Sequence, residues 1–116
     1  MIYSLKYTND LPYNKAGVTS YCFWPHIEIR TEYKGDRGLL QHELEHVRQY
    51  WTRGLIIHSL RYKYSQSYRL RCEVEAYKIQ QEYTSIDMFE KYANMICNDY
   101  ELDVDRAEII EMLKEL

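Results

Sequence analysis

The chain has 116 residues, 46% of them apolar, and a formal net charge of −3. That length suits a single domain over 1–116, with one packed core and no second lobe. The acidic balance makes a nucleic-acid partner unexpected, and no apolar run nears the roughly 20 residues of a membrane span, so no membrane partner is expected either.

Residues 1–7 show no basic flank followed by a long apolar stretch, so no signal peptide is read there. The cysteines, Cys22, Cys72 and Cys97, are odd in number and form no C-x-x-C pair. A disulfide framework and a cysteine zinc site are unexpected, and three buried thiols in a reducing, cytoplasmic setting are the plain reading.

In chain order, residues 2–7 alternate as a strand and Leu11 to Gly17 reads as a turn. Val18 to Trp24 is β-branched and aromatic, a second strand. Residues 26–33 put Ile27, Ile29, Thr31 and Tyr33 on one face and Glu28, Arg30 and Glu32 on the other, a half-buried strand. From Gly38 the periodicity turns helical. A first helix runs to about Arg53, with Asp36 as N-cap and Gly54 as C-cap. A second covers Leu55 to about Tyr64 and a third about Tyr68 to Tyr83. A fourth, capped by Thr84 or Ser85, reaches about Asn98. Asp105 with Glu108 resembles a capping box for a last helix ending near Leu116. The class is α+β: a small N-terminal antiparallel sheet followed by a helical bundle.

His42-Glu43-Leu44-Glu45-His46 is H-E-x-x-H. On a helix, two His four residues apart lie about 40° apart, so both can reach one metal ion. Glu43 stands beside that metal and can take a proton from a water bound to it. The helical wheel puts Leu40, Leu44, Val47 and Trp51 on a core stripe and Gln41, Glu45, Arg48 and Thr52 on a polar arc. His42, Glu43 and His46 fall on neither, beside Leu39 and Tyr50. Partly buried imidazoles and a carboxylate need bonded partners, and a metal supplies them.

A catalytic zinc site needs a third protein ligand. The long metzincin form fails, because positions 49 and 52 are Gln and Thr. Glu73 and Glu75 point about 160° apart on a helix, so only one can face the metal. Glu73 shares an arc with Arg69 and Gln80 that reads as solvent, whereas Glu75 borders Tyr68, Cys72, Ile79 and Tyr83. Glu75 is therefore the chosen ligand. His58 is the other candidate, or else a satisfied core histidine.

The segments 38–49 and 73–77 (Glu73-Val74-Glu75-Ala76-Tyr77) resemble the glutamate zincins, or gluzincins, and in particular small bacterial and phage proteins with an H-E-x-x-H-x-x-Q helix followed by an E-x-E-A-Y helix. The resemblance implies a zinc metallopeptidase acting on a peptide or protein substrate. His42, His46 and Glu75 would bind Zn²⁺ and Glu43 would be the general base. Larger gluzincins have a C-terminal lobe for which this chain has no room. Many also keep an Asp four residues after the ligand Glu; here that position is Ile79. Candidates for stabilising the oxyanion are Tyr62, Tyr64, Tyr68 and His58. The strand at 26–33 is the expected substrate shelf if it forms a sheet edge. A second reading is a catalytically inactive zincin-fold module for metal binding and protein interaction. A third uses His58 as ligand and resembles SprT-type zincins, whose substrates are DNA-bound proteins, without their basic patch.

Overall fold

A computed structural model describes residues 1–12, 15–21, 24–100 and 102–115. Tyr13 and Asn14 of the expected turn, Cys22 and Phe23 of the second strand, and Leu116 lie outside the described residues. The elements are β1 (Ser4–Thr8), β2 (Gly17–Tyr21), β3 (Pro25–Arg30), then α1 (Arg37–Arg53), α2 (Leu55–Tyr64), α3 (Gln66–Gln81), α4 (Phe89–Asp99) and α5 (Arg106–Lys114). The class is α+β.

In β3, Ile27 and Ile29 turn inward and are fully buried, while His26, Glu28 and Arg30 are half-buried. The strand order is β1-β3-β2, with β1 parallel and β2 antiparallel to β3. The sheet is thus mixed, not the antiparallel one expected. The chain leaves β1, passes β3 and returns on its far side as β2, so β1 and β3 run the same way. Arg30 organises that connection: its guanidinium donates to the carbonyls of Leu11 (3.3 Å), Pro12 (2.7 Å) and Lys15 (2.9 Å). A planar fork of donors suits such a cluster of carbonyls. β3 is also the central strand and ends at Arg30, with Thr31–Tyr33 forming a 3₁₀ turn. It cannot be the substrate shelf. The strand edge beside α1 belongs to β2.

Helix limits follow local chemistry. Asp36 caps α1 by accepting from the Leu39 amide at 3.0 Å. Gly54 ends it with φ 95°, a left-handed conformation that a Cβ disfavours. Ser65 caps α3 through the Tyr68 amide, and Asp105 caps α5 through the Ala107 amide. The fourth helix starts later than Thr84 or Ser85 would set it. Gln81 donates to the Ile86 carbonyl (2.8 Å) and accepts from the Met88 amide (3.0 Å), and these bonds hold the connection outside helical geometry until Phe89.

Two apolar clusters form the core. Ile27, Ile29, Leu39 and Val47 pack between sheet and α1, with Leu40, Leu44 and Trp51 at the margin. Leu70, Val74, Tyr77, Tyr92, Ile96, Ile109 and Leu113 pack among α3, α4 and α5. α1 lies on α3 between them. The seam holds buried polar residues: His42, Glu43, His46, Gln49, His58 and Glu73. Among the described residues, no helix is long and apolar enough to cross a membrane.

Candidate metal centre

His42 and His46 project from successive turns of α1 with ring centroids 5.1 Å apart. Their side chains meet α3, and the residue they meet is Glu73. Its carboxylate lies 3.5 Å from His42 Nε2 and 3.2 Å from His46 Nε2, and the residue is 0% exposed. Glu75 is elsewhere. It takes an ion pair from Arg53 at 2.7 Å, partly in solvent, as ordinary surface carboxylates do. The expected third ligand, Glu75, is therefore not beside the two imidazoles, whereas Glu73 is: two residues apart on α3 they point different ways, Glu73 to His42 and His46 in the middle of α1 and Glu75 to Arg53 at its end. His58 does not join the cluster either. It is fully buried, with its Nδ1 2.6 Å from the Tyr68 hydroxyl and its Nε2 3.3 Å from the Tyr21 hydroxyl.

Ligand atoms of His42, Glu43 and His46 lie within 4.8 Å of one another, a group able to hold a metal ion. Glu43 leans towards β2. The Thr19 hydroxyl lies 3.3 Å from its carboxylate, and a Cβ on Gly17 would already touch its Cγ at 3.4 Å. Glu43 opens onto two adjoining cavities of about 410 and 490 Å³. The first reaches His46, Glu73, Tyr62 and Thr19; the second reaches His42, Tyr77 and Gln80. Both share Lys15, Gly17 and Tyr100, so one cleft passes over the cluster.

The supporting hydrogen bonds orient the donors. His46 Nδ1 meets the Gln49 side-chain oxygen at 3.1 Å, which leaves Nε2 directed at Glu73. The Gln49 amide nitrogen donates to the Cys72 carbonyl (3.1 Å) and to Glu45 (3.3 Å), both acceptors, which fixes the orientation of its amide. One buried Gln thus ties His46 to the backbone beside Glu73. Gln49 is the Gln of the H-E-x-x-H-x-x-Q pattern, and its position three residues after His46, where a helix brings side chains together, accounts for the contact. Glu45, placed on the polar arc, is buried beneath Arg48, which donates to it at 2.5 and 2.6 Å. The Tyr62 hydroxyl donates to Glu73. Of the oxyanion candidates, Tyr68 is engaged with His58 and Tyr64 is exposed.

Burial opposes charge on His46, but the carboxylates of Glu73 and Glu43 outweigh it and push His46 up to about 9. Burial likewise opposes ionisation of Glu73, and His46 and His42 together hold its carboxyl well below the usual range. Even so, Glu73 Oε1 and His42 Nδ1 are buried without a hydrogen-bond partner. Glu73 Oε1 has only the long 3.5 Å approach of His42 Nε2, and a cation bound between the groups is one way to satisfy it. Two imidazole nitrogens and a carboxylate around one point are a donor set that fits a divalent metal.

Comparison with protein-family models, with curated proteins and with solved structures finds no match.

Proposed function

We propose that the chain binds zinc through His42, His46 and Glu73 and hydrolyses peptide bonds with Glu43 as general base. The observation that carries this reading is the buried Glu73 carboxylate set between the two Nε2 atoms, with Oε1 accepting no hydrogen bond and facing His42 Nε2 at 3.5 Å. Two His and one Glu are the ligands of catalytic zinc sites that keep a position open. A zinc ion held there would act as a Lewis acid on the scissile carbonyl and lower the pKa of its water towards about 7.

Glu43 takes the proton of the attacking water and returns it to the leaving amine. Thr19 holds that carboxylate against β2, at the side of the cleft. Tyr62 steadies Glu73, and Gln49 fixes the ring of His46. An extended peptide in the cleft would run beside β2, an edge strand whose outer backbone groups can accept a further strand. The free thiols of Cys72 and Cys97 suit the reducing cytoplasm.

The test is hydrolysis of fluorescently labelled casein by zinc-loaded protein, wild type against Glu43→Gln. The wild type should cleave, and the variant should keep its zinc while losing activity by about 100-fold or more. A zinc-loaded wild type that cleaves nothing would leave the inactive metal-binding module as the reading.

A further inference from the structure

α2 is amphipathic the wrong way round for a helix of a lone globular domain. Its inward side carries His58, fully buried, and Tyr62. Its outward side carries Ile56 (74% exposed), Ile57 (60%), Leu60 (52%) and Tyr64 (74%). At about 100° per residue, these four fall within an arc of about 100°. Lys63 lies just outside one margin of that arc and Arg61 just outside the other; both are exposed. Among the described residues, neither pairs with a carboxylate; Arg61 lies over the Tyr68 ring and Lys63 over the Tyr64 ring.

The surrounding sequence has the same bias. Residues 46–72 contain six Arg and Lys and no Asp or Glu, in a chain whose net charge is −3. An apolar arc edged by cations, with a Tyr at its end, is how an interfacial helix meets a lipid surface. The aliphatic side chains enter the acyl boundary, the long cationic stems reach back to phosphate, and the phenol sits at headgroup level. A protein partner or a second copy could also cover an apolar face. Arg48 and Arg53 are paired with Glu45 and Glu75 and Arg69 with backbone carbonyls, but the exposed Arg61 and Lys63 that edge the apolar arc favour an anionic surface, because two copies would bring the same cations together.

We propose that α2 docks the protein onto anionic lipid bilayers, as a peripheral contact that needs no spanning helix. Ile56, Ile57 and Leu60 insert, and Arg61 and Lys63 bind headgroups. This inference does not rest on the metal centre: Ile56, Ile57 and Leu60 lie on the side of α2 away from His58 and Tyr62, although Lys63 also lines the first cavity of the cleft.

The test is co-sedimentation of the full chain with vesicles of phosphatidylcholine alone and of phosphatidylcholine with one quarter phosphatidylglycerol. Binding is expected to the mixed vesicles, and to weaken with added salt. Ile56→Ser/Leu60→Ser and Arg61→Glu/Lys63→Glu should each weaken it about tenfold or more. All four residues are exposed, and far-UV circular dichroism checks that the variants stay folded. Failure of the wild type to bind mixed vesicles overturns the proposal. So does equal binding to both vesicle types, or a concentration-dependent dimer abolished by Ile56→Ser/Leu60→Ser in a protein that ignores vesicles.

Discussion

A carboxylate oxygen of Glu73 lies 3.2 Å from Nε2 of His46, one group from α3 and the other from α1, both closed off from solvent. The opposite nitrogen of that imidazole rests on Gln49. Gln49 is also the link between α1 and the Cys72 carbonyl, so it aligns the two helices as well as the ring.

Replacing Gln49 with Met keeps the bulk and removes both functions. Zinc affinity should fall by about 10- to 100-fold, as when an outer partner of a ligating His is lost. Competition against a chromophoric zinc chelator reads this directly, with circular dichroism confirming the fold. An unchanged affinity would mean that His46 is oriented without Gln49.

His58 gives the fold a pH dependence of its own. Burial first, then the positive charges of His46, Arg53 and Arg61, bring its pKa from 6.5 down to about 4. The rings around it are Tyr21 from β2, Tyr50 from α1, Tyr62 from α2 and Tyr68 from α3. The folded pKa lies below the unfolded one, so the unfolded chain binds the extra proton. Stability is complete above pH 6.5 and is lost as pH falls towards 4, by up to about 3 kcal/mol. Urea unfolding of the wild type and of His58→Gln should give stability curves that converge between pH 6.5 and 4. Parallel curves would contradict this.

The Arg53–Glu75 pair lies at the surface. Both side chains are partly solvated, so Glu75→Gln should cost less than about 1 kcal/mol, and less still at high salt. Thermal unfolding at two salt concentrations measures it. A loss of several kcal/mol would show that Glu75 does more than hold Arg53.

Local chemistry was readable from sequence wherever neighbours along the chain decide the outcome. The cap at Asp36, the stop at Gly54, the extent of α1 and α2, and the spacing of His42, Glu43 and His46 all belong to that kind. Strand pairing is not local, and the position of β3 between β1 and β2 depends on a connection gathered by Arg30. The helical wheel misled on α3 for a related reason. It assumed that charged neighbours mark solvent, so Arg69 and Gln80 appeared to place Glu73 outside. α3 is instead covered on several sides, by α1 and by α4 and α5, and Leu70, Cys72, Glu73, Val74, Ala76 and Tyr77 are all buried. Glu45 is buried for the same reason, since Arg48 and Gln49 cover it. Polar residues in such a seam report their partners rather than water.

The central claim is tested most directly by the metal content of the purified protein after zinc loading and dialysis, for the wild type, Glu73→Ala and Glu75→Ala. One equivalent of zinc is expected in the wild type and in Glu75→Ala, and far less in Glu73→Ala. A wild type that keeps no stoichiometric zinc, or a loss of zinc in Glu75→Ala but not in Glu73→Ala, would contradict it.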